Sequence, residues 1–348
     1  MKMNPLGRTG LMVSELCLGT MTFGNQTPPE DAFAQIERAH DAGINFMDTA
    51  EMYPVNPVAA ETVGNTETIL GDWFEKTGRR KDWILATKHS GEGSVARGGE
   101  LISSKTIRPV LEASLKRLKT DHVDLYQFHW PNRGSYMFRK NWQYDPSQSG
   151  WTKAQVIADM EDCLGALQAE VERGTIRAFG MSNESAWGAR MWLEAAERVG
   201  GPRMASIQNE YSLLCRLADT DLAELMAYED VSLLPFSPLA AGFLTGKYQG
   251  GAVPEGSRMS IVETMGGRRT PRVFEAVEAY LAVARDFGVD PVQMAVAWSA
   301  RRPFVASSIF GATSLAQLET ILPAAEMTLS EELLAALDET HKAHPMPY

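Results

Sequence analysis

Lys105-Thr-Ile-Arg-Pro-Val-Leu-Glu-Ala-Ser-Leu-Lys-Arg-Leu118 is followed, after four polar residues, by Val123-Asp-Leu-Tyr-Gln-Phe-His129. The first stretch carries Ile107, Val110, Leu111 and Leu115 on one helical face. The second is a short apolar run, of strand length, that ends on an ionisable side chain. This helix-then-strand unit repeats along the chain. Strands are expected at Glu15–Gly19, Asn45–Asp48, Trp83–Lys88, Val123–His129, Ile176–Ser182, Ala205–Asn209, Ser232–Phe236 and Phe304–Phe310. Helical periodicity is clear in Asp31–Ala42, Lys105–Leu118, Ala154–Arg173, Leu217–Tyr228 and Arg272–Phe287. Strand–helix alternation implies a parallel sheet covered by helices, and eight repeats favour a closed (β/α)8 TIM barrel. A doubly wound dinucleotide fold lacks its fingerprint here, because Gly91-Glu-Gly93 and Gly98-Gly99 lie in a polar loop. Met3–Leu6 and Leu11–Val13 read as an N-terminal β-hairpin, and Ser330–His341 as an extra C-terminal helix. The α/β reading is one barrel domain over residues 1–348, a length that leaves about a hundred residues for loops and added helices.

Composition narrows the partners. The formal charge of −11, from 33 basic and 44 acidic residues, disfavours nucleic acid and acidic membrane surfaces. Cys17, Cys163 and Cys215 are far apart and form no CxxC pair, so they read as buried thiols, not as zinc ligands or a disulfide framework. The N-terminus has no apolar signal region, and the stretch Val231–Leu244 is interrupted by Pro235, Ser237 and Pro238. A cytoplasmic protein is expected. No apolar helical face marks an oligomer interface, and no His/Asp/Glu cluster has metal-ligand spacing.

Long irregular segments, Met52–Gly64, Ser90–Gly99, Pro131–Thr152 and Ala240–Thr270, all follow the C-terminal ends of strands. In a barrel that end is the active face. The strand ends themselves carry Asp48, Lys88 and His129, with Tyr53 five residues beyond Asp48. Alone, an Asp there is a cap, a Lys is solvated and a His is packed; three consecutive strands ending this way point to one mouth. Their chemistry suits proton transfer to a carbonyl oxygen. A tyrosine of pKa about 10 needs about 2.7 kcal/mol to drop two units. An ammonium roughly 4 Å away supplies that much at intermediate dielectric. Asp48 is placed to balance a buried Lys88.

The motifs Gly19-Thr-Met-Thr-Phe-Gly24, Asp48-Thr-Ala-x-x-Tyr53, Ala86-Thr-Lys88, Leu125-Tyr-Gln-Phe-His129-Trp130, Gly180-Met-Ser-Asn183, Ile207-Gln-Asn-x-Tyr211-Ser and Phe236-Ser-Pro-Leu239 stand in order along the chain. Together with Ser103–Asp124 they resemble the aldo-keto reductase family over nearly the whole length. Glu51-Met-Tyr-Pro54, with an insertion before Glu67-Thr68, is similar to its Tas-like bacterial branch. The resemblance implies reduction of a small carbonyl substrate with NADP(H). Tyr53 would be the proton donor, Lys88 would lower its pKa, Asp48 would pair with Lys88, and His129 would position the carbonyl, with Trp130 beside the substrate. Gly19, Thr20 and Met21 would line the nicotinamide end. Ser182, Asn183 and Gln208 would bind its carboxamide, and Tyr211 would stack on its ring. Phe236, Ser237, Pro238, Leu239, Gly242, Leu244 and Lys247 would form the pyrophosphate loop. Arg258 would meet the 2′-phosphate. Gly311, Thr313 and Gln317 would hold the adenine end at the start of the last barrel helix.

The chain departs from the family at Pro54, where glycine is usual and the loop path changes. It departs at Ile321, where an asparagine usually contacts adenine, and at His89, which could face the mouth or lie in a solvated loop. The aromatics Tyr136, Phe138, Trp142, Tyr144 and Trp151 either build an apolar substrate pocket or pack among themselves. Two other functions compete. One is an NADPH-binding regulatory or accessory subunit with little turnover; the other is a barrel lyase with Lys88 as a Schiff base.

Overall fold

Period-two alternation along short strands generates the architecture. A computed structural model describes residues 1–348. An antiparallel hairpin, β1 (Met3–Pro5) and β2 (Met12–Ser14), precedes eight parallel strands. These are β3 (Leu16–Gly19), β4 (Phe46–Asp48), β5 (Ile84–His89), β6 (Val123–Phe128), β7 (Ile176–Ser182), β8 (Met204–Gln208), β9 (Ser232–Leu233) and β10 (Ser308–Phe310). The sheet runs in sequence order from β3 to β9, with β10 paired to β3. All eight expected strands are present, most of them shorter than expected; β7 has the expected bounds, and β5 starts one residue later and runs on to His89.

The seam between β9 and β10 is the loosest. Pro235 has no N–H to give to a ladder, so regular β9 stops early. The Pro235 carbonyl still accepts from Ile309 N–H at 2.8 Å, and Leu233 N–H donates to Phe304 O at 2.8 Å. Bridges Leu233↔Val305 and Phe236↔Ile309 close the circle.

Side chains inside the barrel are stacked in layers. Leu6 and Val13 of the hairpin plug the bottom and join Cys17, Phe46, Ala86, Leu125, Ala178 and Ala205 in one apolar cluster. Two residues further along the same strands stand Asp48, Lys88 and Gln127, so the polar layer lies directly above the apolar one. The outward residues, such as Met47, Leu85, Tyr126 and Phe179, pack under the helices in the main core.

The helix ends follow capping chemistry. Thr152 and Gln155 form a capping box before Lys153–Glu172, and Ser330 caps the added helix Glu331–Ala343. The expected helix Leu217–Tyr228 is instead broken at Thr220, into a short turn Leu217–Asp219 and a helix Asp221–Glu229. Asp219 there is drawn aside by Arg216 and Tyr211. All three cysteines are unbridged and buried. No helix is long and apolar enough to cross a membrane.

Candidate active site

The strands end in a cavity of about 780 Å³. Three neighbouring strands supply the buried polar layer at its base. Asp48 ends β4, Lys88 lies one residue before the end of β5, and Gln127 points inward from β6. Lys88 is fully buried, and its Nζ donates to Asp48 Oδ2 at 2.6 Å and to the Thr49 carbonyl at 2.8 Å. A third donation, at 3.4 Å, reaches the Tyr53 hydroxyl. The other carboxylate oxygen of Asp48 accepts from Gln208 Nε2 at 2.8 Å and Gln127 Nε2 at 3.1 Å. A buried ammonium of this kind is tolerable only because it is paired and fully hydrogen-bonded. Burial penalises the Lys88 charge, but Asp48 and Tyr53 more than offset it and hold its pKa above the usual lysine value.

The loop after β4 carries Tyr53 back over this pair. Its carbonyl accepts from Gly64 N–H at 3.2 Å and Thr66 N–H at 3.3 Å, so the Pro54–Val63 excursion closes on the tyrosine itself. The His129 ring lies 5.7 Å from that of Tyr53, edge to face. Neither His129 ring nitrogen has a protein partner, and Nδ1 is buried. Burial and the nearby Lys88 keep His129 well below the ordinary histidine pKa, hence neutral at pH 7.

Lys88 acts on the Tyr53 pKa in the expected downward direction, but the net shift is upward. Burial is the largest influence and raises it; Lys88 pulls it down, but not enough. The attraction of Lys88 for a tyrosinate is smaller than the cost of holding that charge out of water.

Gly19, Thr20, Met21, Trp130, Ser182, Asn183, Phe236, Ser237, Pro238, Leu239, Gly242, Lys247, Arg258, Gly311, Thr313 and Gln317 share the cavity wall with Asp48, Tyr53, His129 and Gln208. Lys88 lies beneath the wall, and two expected cofactor-side members are not part of it. Tyr211 is fully buried; its ring stacks on Trp298 at 5.2 Å and its hydroxyl donates to Asp219. Phe236 is the aromatic residue that faces the cavity from that side. Leu244 packs in the core. His89 faces neither mouth nor solvent. It follows Lys88 on the strand, so it points outward, and its Nε2 sits 3.0 Å from Thr106 Oγ1 on helix Ser104–Leu118. Burial first, then Arg97, lowers its pKa to about 4. The aromatic loop divides: Phe138 lines the cavity, Tyr136 and Tyr144 pack on each other at 6.5 Å, and Trp142 is exposed.

Several groups suit an anionic, amide-bearing cofactor. Arg258 and Lys247 have no acidic partner, although Arg258 is largely shielded. Burial and the neighbouring Arg268 lower the Arg258 pKa to about 10. Asn183 donates to the His129 carbonyl and to Ser182 Oγ, but its own Oδ1 is buried without a donor. Gly242 adopts φ +95°, and a Cβ there would press on Lys247 at 3.0 Å. Ile321 is part of the wall as an apolar group. At the last barrel helix, Leu315–Ile321, the Ser314 side chain accepts from Gln317 N–H and the Gln317 side chain accepts from Thr313 N–H.

Sequence reading missed Gln127, although it lies two residues before His129 on the same strand. It also missed Arg139, Arg268 and Glu210, which have no periodic signature.

The aldo/keto reductase family profile matches residues 15–342. The chain belongs to the aldo/keto reductase family. Within that family it is 42% identical to Protein tas of Escherichia coli over 351 residues, covering 100% of this chain and 99% of that one. An uncharacterized oxidoreductase of Bacillus subtilis, YrpG, is 31% identical across 96% of this chain and 94% of its own. A probable voltage-gated potassium channel subunit beta of Arabidopsis thaliana is 30% identical across 94% of this chain and 92% of its own. Membership of this family makes the barrel an oxidoreductase scaffold, and its strand-end polar layer lies at the face where barrel enzymes carry their chemistry.

Proposed function

We propose that this chain acts as one barrel domain, an NADP(H)-dependent aldo-keto reductase that reduces a small aldehyde or ketone to an alcohol in the cytoplasm. One observation carries the reading. Asp48, Lys88 and Tyr53 are hydrogen-bonded in series beside a neutral His129, in a cavity that also holds two unpaired cations.

The Tyr53 hydroxyl and His129 would both meet the carbonyl oxygen. With its pKa held above 10 in the free site, Tyr53 stays protonated at pH 7 and is able to donate. The bound dinucleotide supplies the hydride. As charge builds on the carbonyl oxygen, the Tyr53 proton moves to it, and Lys88 stabilises the tyrosinate left behind. Asp48 keeps Lys88 charged and in place. His129, being neutral, can orient the oxygen by hydrogen bonding without repelling Lys88. Asn183, with Ser182 and Gln208 beside it, would hold the nicotinamide carboxamide, and Phe236 would replace Tyr211 as the ring's aromatic neighbour. Lys247 and the Ser237–Gly242 turn would meet the pyrophosphate, Arg258 the 2′-phosphate, and Gly311, Thr313 and Gln317 the adenosine.

A panel of aldehydes and ketones, with NADPH and NADH side by side, tests this by the loss of reduced-cofactor absorbance. Carbonyl-dependent oxidation that favours NADPH is expected. Equal use of NADH would remove the role given to Arg258. The similarity to channel beta subunits supports a second reading, an NADPH-binding accessory subunit. Tight NADPH binding with no turnover across the panel would favour it.

A further inference from the structure

Behind two arginines of the cavity wall, Arg139 and Arg268, stands a buried carboxylate that the chemistry above does not use. Glu210 lies two residues past the end of β8 and is 6% exposed. Arg139 Nη1 donates to its Oε2 at 2.8 Å, from the loop after β6. Arg268 Nε donates to Oε1 at 2.7 Å, from the loop after β9. The Tyr348 hydroxyl, from the C-terminal segment, donates to the same Oε1 at 3.1 Å. Burial raises the Glu210 pKa, but Arg268 and Arg139 outweigh it, so the group is held ionised.

Both arginines face the cavity, and each stands on a loop with a proposed binding role. Phe138, next to Arg139, lines the side where a carbonyl substrate would enter. Arg258, ten residues before Arg268, is the cation assigned to the cofactor. The loops also touch directly. A Cβ on Gly266 would meet Arg139 Nη2 at 3.3 Å, and one on Gly267 would meet Arg139 Cβ at 3.6 Å. At this junction Phe138, Arg139 and Met265 hold φ of 60°, 62° and 52°. Side-chain-bearing residues avoid that region unless surrounding contacts impose it. The tail is tied in separately, with Thr270 Oγ1 donating to Pro347 O at 2.6 Å.

We infer that Glu210 is a positioning residue that clasps the substrate-side loop to the cofactor-side loop, so that loosening either one loosens the other and weakens dinucleotide binding. Two walls moored to one anion cannot move independently without exposing a buried charge. Coupling of this kind is reciprocal. Only its binding consequence rests on the dinucleotide reading.

Amide hydrogen exchange on the protein without dinucleotide tests the clasp, and NADPH titration by fluorescence tests its consequence. Arg139→Gln should speed exchange about tenfold at 262–270, in the opposite loop. Arg268→Gln should do the same at 133–144. Arg139→Gln should also weaken NADPH roughly five- to tenfold, although Arg139 is not assigned to the cofactor. Arg139→Lys should recover part of both effects. Glu210→Gln should loosen both loops at once; if it does not fold, the two arginine variants decide alone. Exchange that rises only in the mutated loop would overturn the proposal. Exchange that crosses between loops, in a wild-type protein that does not bind NADPH, would support the clasp and sink the dinucleotide reading instead.

Discussion

Asp48 and Glu210 are both buried carboxylates at the mouth of the barrel, and each accepts from three side chains. Around Asp48 the donors are Lys88, Gln127 and Gln208, all on barrel strands. Around Glu210 they are Arg139, Arg268 and Tyr348, all on loops or the tail. Strands about 4.8 Å apart, with alternating faces, fix where the first group stands. The second depends on long flexible side chains reaching across 71, 58 and 138 residues of sequence. The first arrangement suits a proton relay, whose geometry must not vary. The second suits walls that admit and release ligands.

The largest expected effect separates the two directly. Asp48→Ala strands the buried Lys88 ammonium and should cost about 3–5 kcal/mol of global stability in urea unfolding. Glu210→Ala should cost less globally, because Arg139 and Arg268 stand on loops that can shift to let water reach them, whereas Lys88 is held on a strand. Equal global losses would erase the distinction between strand-built and loop-built sites.

His89 tests the strand-built side by pH. The unfolded imidazole takes up a proton near pH 6.5, whereas in the folded protein it resists until about 4. Between those values the unfolded state binds more protons, so stability must fall as pH is lowered. The His89 contribution to that loss reaches roughly 3 kcal/mol at pH 4. His89→Gln should flatten the acid limb of a stability–pH curve; an unchanged slope would mean the ring is not shielded.

On the loop side, Arg258→Met should raise the dissociation constant for NADPH roughly 10- to 100-fold, the value of one or two charge-assisted hydrogen bonds, while barely changing that for NADH. A uniform loss for both would assign Arg258 to the shared pyrophosphate. The smallest effect belongs to Tyr348→Phe, which removes one hydrogen bond from Glu210 and should cost about 1 kcal/mol. A thermal melt would read it, and a loss as large as that of Asp48→Ala would show the tail to be structural, not an accessory arm.

The same contrast explains what could be read in the amino-acid sequence. All eight strands were legible because apolar runs and helical faces alternate at regular spacing. Lys88 and His129 were legible as strand-end residues. Gln127 was available from the same alternation, since it shares a face with Lys88 across the ladder, but an uncharged amide in an apolar run drew no attention. Tyr211 misled because strand periodicity stops at Gln208, and its ring turns outward onto Trp298. The sign of the Tyr53 shift needed the depth of burial, which no spacing reports. The Glu210 partners needed loop paths, and those are set by contacts between segments far apart in sequence.

The central claim is that Tyr53 delivers the proton, with Lys88 and Asp48 behind it. Tyr53→Phe keeps the ring and removes only the hydroxyl. Steady-state turnover and NADPH affinity, measured on the same preparation, test the claim most directly. Turnover should fall by about 10²–10⁴, the usual contribution of general acid catalysis, while the NADPH dissociation constant changes less than about threefold, under 1 kcal/mol. A Tyr53→Phe enzyme that retained full turnover would contradict the account.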